Sequence, residues 1–377
     1  MKFIPLVQIC DFQGGSQPPK DQWLNQERDG YIRMLQIRDF TQPDKDNVEY
    51  VRKTKSIKTC NEDDILIGRY GASVGKILTG LAGAYNVAIV KTIPDVTRLS
   101  KRFLYYYLNS PYFQNYILSV GSRAAQAGFN KDDLSDAVIP LLSLEEQNDV
   151  VEKLDQVDGL ISMRKEQLAK LDELVKVRFV EMFGSIDKSC YVTMASVCSI
   201  ITDGTHQPPK FISNGIPFLF VSNITTNEIT YDAQKFISAE TYNELIKRTP
   251  IEIGDILLST VGSYGHPAVV RETKPFCFQR HIAYLKPNQN LVDSDYLHGA
   301  ILSWDVQRQI EEKVKGIAQK TLNLSEIRTL RFPLPDMEQQ KRFAAYSAQI
   351  KKTKLTIQAS LDKLEVMKKA LMQEYFG

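Results

Sequence analysis

The chain has 377 residues, 43% hydrophobic and 24% charged, with 47 Lys and Arg against 45 Asp and Glu and a formal net charge of +2. This composition excludes a disordered chain, and a balance so near neutrality excludes a non-specific nucleic-acid coat, so any DNA contact must come from local patches. The five scattered cysteines form no C-x-x-C pair, no apolar run reaches the length of a membrane span, and the N-terminal run lacks a signal-peptide pattern; free thiols in a cytoplasmic protein are expected.

A first globular segment is expected over residues 1–138. It carries a GGSQPPK loop (14–20), a DDILI run (63–67) followed by a Gly-rich loop (68–75), and an aromatic helical stretch (103–119). A long helix is expected next, over 139–184. Pro140 precedes a capping box at Ser143 and Glu146, and Leu154, Ile161, Leu168, Val175 and Met182 recur every seven residues, interrupted by Arg164 and Arg178. The helix ends at Phe183-Gly184, where glycine suits a left-handed C-cap.

A second globular segment, 185–331, repeats the landmarks: GTHQPPK (204–210), GDILL (254–258), strand-like runs at 216–221, 268–271 and 282–286, and a helical stretch at 296–315. A second long helix, 332–377, aligns without a gap to the first at a spacing of 193 residues. Pro140 falls on Pro333, Glu145 on Glu338, Gln147 on Gln340, Lys176 on Lys369, and Phe183-Gly184 on Phe376-Gly377. Ile350, Ile357, Leu364 and Leu371 recur every seven residues, but Lys354 and Lys368 sit on the row that carries Ile161 and Val175 in the first helix. The repeat predicts a pseudo-twofold α+β molecule of two mixed globular domains alternating with two long helices. At about 1.5 Å per residue, each helix of roughly 38 residues extends about 57 Å and acts as a ruler.

Fragments that suggest catalysis do not hold together. The GASVGK run (71–76) has three residues between its glycines and no Ser or Thr after Lys76, so it is not a phosphate loop. The NSPY run (109–112) lies in a helical aromatic stretch, where packing explains it. The four histidines lack metal-ligand spacing. Residues suited to DNA contact instead cluster in polar or Gly-bearing loops of both segments. The first offers Gln17 and Lys20, then Arg69, Tyr70, Ser73 and Lys76, then Arg123, Gln126, Asn130 and Lys131; the second offers Thr205, His206, Gln207 and Lys210, then Thr260, Ser263 and Tyr264, then Gln319, Lys320 and Asn323. Such side chains read base edges in the major groove and meet phosphates. For each one singly, ordinary turn chemistry competes with this reading; their paired appearance favours recognition.

With the repeat, the paired capping boxes, the QPPK loops and the IPL…EEQ (139–147) and FPL…EQQ (332–340) patterns in view, the whole chain resembles type I restriction-modification DNA specificity subunits. The resemblance implies two target recognition domains, each reading half of a bipartite double-stranded DNA site, spaced by an antiparallel coiled coil. It implies a non-catalytic chain on which two methyltransferase subunits dock, joined by restriction/translocase subunits. S-adenosylmethionine, ATP and Mg²⁺ are expected in those partners and no cofactor in this chain; the implied chemistry is adenine N6-methylation. The alternatives are a chain with its own nuclease or methyltransferase centre, a coiled-coil adaptor without a DNA role, or a specificity subunit of a related fused restriction system.

Overall fold

The computed structural model describes residues 2–42, 48–121, 128–316 and 320–377. The chain divides into two compact units, 1–164 with 360–377, and 165–359. Each unit thus combines one globular segment with a stretch of both long helices.

In the first unit the strand Phe3–Pro5 pairs antiparallel with Val138–Pro140, so the segment closes where it began. Between them lies an antiparallel sheet in the order Cys10–Gly14, Ile89–Pro94, Leu66–Gly68, Ile77–Leu78. Beside it stands a mixed sheet in the order Tyr50–Arg52, Tyr31–Leu35, Gly83–Tyr85, Thr59–Cys60, with the middle two strands parallel. The second unit repeats this plan. Val192–Thr193 pairs with Arg331–Phe332, the four-stranded sheet runs Cys198–Asp203, Ile282–Pro287, Ile256–Ser259, Pro267–Val269, and the mixed sheet runs Phe236–Ile237, Ile216–Leu219, Cys277–Phe278. The strand expected at 216–221 therefore stops at Leu219, because 221–223 turns into a 3-10 helix.

Each helical stretch, expected as one helix, is two. Lys101–Asn109 gives way to Pro111–Gly121, and Ser294–Leu302 to Trp304–Lys313. The cause is local. Ser110 and Ser303 leave the helical conformation, and their hydroxyls accept from the N–H groups of Phe113 (3.2 Å) and Val306 (3.4 Å), starting a new helix. Pro111 needs no N–H partner at a first helical position. The NSPY run is thus a helix junction. The 71–76 loop joins strands Leu66–Gly68 and Ile77–Leu78 of one hairpin, without the following helix that a phosphate loop requires.

The long helices are Leu144–Phe183 and Met337–Phe376, each of 40 residues, or about 60 Å at the usual rise. The first has its capping box: the Ser143 hydroxyl accepts from the Glu146 N–H (3.2 Å) and the Ser143 N–H donates to the Glu146 carboxylate (2.8 Å). In the second, Asp336 accepts from the Gln339 N–H at 2.8 Å. Gly184 does not take the expected left-handed conformation; its N–H donates to the Val180 carbonyl (2.7 Å), which leaves no room for a Cβ.

Side-chain pairs within each unit show the helices running antiparallel. In the first, Lys153 meets Tyr375 (3.4 Å) and Asp158 meets Lys368 (2.6 Å); in the second, Asp172 pairs with Lys354 and Arg178 lies over the Tyr346 ring. Lys354 and Lys368 thus keep their heptad positions through ion pairs with the facing helix. The terminal phenylalanines anchor the cores. Phe376 packs on Phe103 and Tyr107, and Phe183 on Tyr296 and Phe343, at centroid distances of 5.1 to 6.0 Å. All five cysteines are free, and burial pushes the Cys10 and Cys277 thiols up to about 12.

Candidate nucleic-acid interface

One end of the four-stranded sheet is built alike in both units. The Gly15 N–H donates to the Ile89 carbonyl and the Ser16 N–H to that of Tyr85 (3.1 and 3.0 Å); Gly204 and Thr205 repeat this with Ile282 and Phe278 (both 3.2 Å). Each glycine is required by close approach, since a Cβ at Gly15 would lie 2.0 Å from the Asn86 oxygen and one at Gly204 2.2 Å from the Phe278 oxygen. Gly204 therefore corresponds to Gly15. The sequence match of the QPPK motifs places it on Gly14, so the loop of the second unit is one residue longer before its prolines.

The neighbouring strand ends also match. The Arg69 N–H donates to the Ala88 carbonyl (2.8 Å) and the Thr260 N–H to that of His281 (3.0 Å). The next residues bridge to the returning chain, Tyr70 to Gly128 and Val261 to Thr321. Below, Gln114 and Gln307 each tie the following turn to a helix, donating to the Gly75 and Gly265 carbonyls at 2.9 Å. A common backbone frame thus presents three segments together: the QPPK loop, the end of the second sheet strand with its turn, and the returning chain.

The side chains on this frame differ between the units. In the second, a cleft of about 550 Å³ is lined by Asp203, Thr260, Arg280, His281, Asn323 and Ser325, among others. Thr260 is buried, with N–H and C=O both bonded, so its place is structural as well as cleft-facing. Asn323 stands at the N-cap of Leu324–Arg328 without spending its side chain on the cap. Arg280 donates to the His281 ring (3.3 Å), and burial, with the guanidinium beside it, holds His281 below the usual histidine range. Arg280 and His281 escaped the sequence reading, because no motif marks them; only the strand register brings them to the rim. The matching positions in the first unit are Val87 and Ala88, which carry no charge.

Several expected contact residues spend their side chains within the chain. Lys20 pairs with Glu49 (2.7 Å) and lies over the Trp23 ring, Lys131 pairs with Asp11, and Lys320 pairs with Glu311 (2.7 Å) beside Tyr264, which also donates to Glu311. His206 meets Asp203 at 2.8 Å. The Lys131 ammonium, with the Phe12 N–H, holds the Asp11 carboxyl below its usual range. Of these pairs, Lys131–Asp11 and Lys320–Glu311 are solvent-exposed on both sides and so are screened by water, whereas the Glu49 and Asp203 carboxylates are largely covered. Arg69 donates to the Phe129 carbonyl (2.8 Å) and packs on Tyr70, and Asn130 accepts from the Asp132 and Asp133 N–H groups; both brace the returning chain. The Thr205 hydroxyl donates to the Gln207 carbonyl. Ser73 is half-buried in its turn, whereas Gln17, Lys76, Gln207, Lys210 and Ser263 are exposed, with no side-chain partner among the described residues. Arg123, Gln126 and Gln319 lie outside the described residues.

Comparison with known proteins agrees with this architecture. The profile of the type I restriction modification DNA specificity domain matches residues 1–173 and again 192–366. The chain is 24% identical over 351 residues to the type I restriction enzyme EcoBI specificity subunit of Escherichia coli, covering 85% of this chain and 73% of that protein. It is 21% identical over 344 residues to the MjaVIII specificity subunit of Methanocaldococcus jannaschii, covering 85% and 79%. Its fold matches a chain from a solved type I restriction-modification system (TM-score 0.58, 18% identity, covering 100% of this chain and 97% of that one). It also matches the S subunit of M. genitalium (TM-score 0.51, 15% identity, 100% and 96%). With both halves of its repeat matched, the chain belongs to the family of type I restriction-modification DNA specificity subunits.

Proposed function

We propose that each recognition domain of this specificity subunit reads one half of an asymmetric, bipartite DNA target through the shared sheet-end frame, and that partner subunits perform adenine N6-methylation and restriction. One observation carries this reading: the two domains share the same backbone hydrogen-bond frame with unlike side chains at matching rim positions, Val87-Ala88 against Arg280-His281. Equal frames with unequal readers suit two different half-sites. In the second domain Arg280 can donate two hydrogen bonds to a guanine edge, Asn323 can pair with an adenine edge, and Thr260 and Ser325 can serve either.

The family resemblance supports docking of two methyltransferase subunits, joined by restriction/translocase subunits that use ATP and Mg²⁺, with S-adenosylmethionine held by the methyltransferase. Exposed apolar side chains on the long helices, Met163, Leu174 and Val177 on the first and Leu355 and Val366 on the second, support an assembled role. This chain would then be non-catalytic and act in the cytoplasm.

The test is a genome-wide map of N6-methyladenine in a host expressing this chain with its neighbouring methyltransferase gene, against the methyltransferase alone. A gapped two-part motif that appears only with this chain is expected, and Arg280→Ala should degrade one half of it. Unchanged methylation from a soluble, assembled complex would overturn the reading in favour of an adaptor.

A further inference from the structure

We propose that the loop 52–58 of the first recognition domain is a phosphate-backbone clamp that the second domain lacks. The proposal rests on the DNA-specificity reading above and adds a contact outside the residues already considered. Arg52 ends the strand Tyr50–Arg52 and Lys53, Lys55 and Lys58 follow in the loop; all four are exposed, and none has an acidic partner among the described residues. Several other cations of this domain are paired, Lys20 with Glu49, Lys91 with Asp64, Lys101 with Asp63 and Asp64, Arg102 with Asp155, and Lys131 with Asp11, while Lys76 stands singly without a partner among the described residues.

The loop is nonetheless held in place. The Lys53 N–H donates to the Gly30 carbonyl (2.9 Å), the Ile57 N–H to that of Thr54 (3.2 Å), and the Thr54 and Ser56 hydroxyls share a hydrogen bond (2.9 Å). Ile57 packs against the buried cluster of Met34, Val51 and Ala84. Ser16 fastens the loop to the candidate interface, its hydroxyl accepting from the Lys58 N–H (3.0 Å) and donating to the Ser56 carbonyl (3.3 Å). The Lys58 carbonyl accepts from the Tyr85 N–H, the residue whose own carbonyl receives the Ser16 N–H. Four like charges are therefore fixed on a stiff backbone beside Gln17. Mutual repulsion makes this arrangement unfavourable in the free protein, and a polyanion relieves it. Stiffness lowers the ordering entropy lost on contact.

The corresponding stretch of the second domain, 238–250, carries Glu240 and Glu244 against Lys247 and Arg248, and Arg248 is held by Asp203. It has no surplus charge. The two domains thus divide the work unequally: the first, with the uncharged Val87-Ala88 rim, grips the backbone more strongly, and the second reads with charged side chains.

The experiment measures the salt dependence of DNA affinity for the full-length chain assembled with its methyltransferase partner, on a duplex containing its methylated motif. The variant replaces Arg52, Lys53, Lys55 and Lys58 with Gln, and its motif is mapped alongside. Each lost phosphate contact lowers the slope of log affinity against log salt by about 0.9, so a decrease of roughly 2 to 4 is expected, with the motif unchanged. Replacing Lys53, Lys55 and Lys58 with Arg should retain the slope. A decrease smaller than about 1, or an altered motif, overturns the clamp. Should the quadruple variant not assemble, the four single Gln variants are read on the same scale, each expected to lose about 0.9. A wild-type complex without sequence preference would instead overturn the specificity reading itself.

Discussion

Two aspartates at matching positions show how far one motif can diverge in physical character. Asp64 and Asp255 both close the turn that starts the central hairpin, accepting from the Asn61 N–H (2.9 Å) and the Glu252 N–H (2.7 Å). Burial pushes both carboxyls up. At Asp64 the hydrogen-bonded Lys101 and Lys91 ammonium groups outweigh burial and bring the carboxyl down to about 2. At Asp255 burial prevails over the Tyr284 hydroxyl (2.7 Å) and the more distant Lys286, and the carboxyl stays raised. The signs therefore oppose. The stabilisation from Asp64 is present above its unfolded value of 3.8 and disappears as pH falls through about 2; that from Asp255 is fully present below 3.8 and disappears as pH rises through its raised folded value. Asp64→Asn should cost about 2 kcal/mol at pH 7, and the loss should shrink toward pH 3. Asp255→Asn should be nearly neutral at pH 7, because the amide oxygen keeps both acceptor roles. Urea unfolding at the two pH values separates them, and equal losses at pH 7 would refute the account. The DILI and DILL runs were visible in the sequence as matching landmarks. They could not announce the opposite titrations, because Lys91 and Lys101 arrive from a different strand and a helix.

At the scale of elements, a buried glutamine joins each long helix to its recognition domain. Gln147 is 2% exposed and Gln340 1%. The Gln147 side-chain oxygen accepts from the Ser100 N–H (2.9 Å), and its amide donates to the Arg98 and Leu142 carbonyls (2.7 and 3.0 Å). Gln340 repeats this with the Asp293 N–H (2.8 Å) and the Leu291 and Pro335 carbonyls (3.2 and 2.9 Å). Ser100 and Asp293 are themselves N-caps of the helices Lys101–Asn109 and Ser294–Leu302, so one side chain fixes two helix starts at once. Replacing either glutamine with Ala leaves one N–H and two carbonyls without that partner in a buried site, and should cost roughly 2–3 kcal/mol. Gln→Glu should be no better, since the carboxylate keeps the N–H but faces two carbonyl oxygens. A thermal shift equivalent to less than about 0.5 kcal/mol for Gln147→Ala would show that water replaces the amide. The matched glutamines, the capping boxes and the heptads were all legible, because helix starts and periodicity are local. The helix breaks at Ser110 and Ser303 were obscured because the apolar residues on either side suit one long helix as well as two, although Pro111 marked one of them.

At the scale of the molecule, the 193-residue spacing revealed the repeat, and the structure explains why it survives in some places and not in others. It is kept where a side chain holds backbone, as at Gln114 with Gln307, Gln147 with Gln340 and Ser110 with Ser303, and where a ring fills a core, as at Phe183 with Phe376. In the cleft and rim it is kept at Asn323, which matches Asn130, but lost at Arg280 and His281, which stand where the first domain has Val87 and Ala88; their place follows from strand register rather than from any motif. Arg280 and His281 lay beyond sequence reasoning for that reason. The same division predicts modularity. Substituting residues 185–331 with the matching segment of another specificity subunit should alter one half of the methylated motif and leave the other half unchanged. The junctions must respect the frame: upstream, Phe183 must stay in place to fill the core against Tyr296; downstream, Gln340 must find an N-capping residue at position 293 and a carbonyl at 291. A chimera that keeps these contacts should assemble normally, with methylome mapping as the readout. If an assembled chimera changed both halves, the domains would not read independently, and the base-reading role assigned to each sheet-end rim would be wrong.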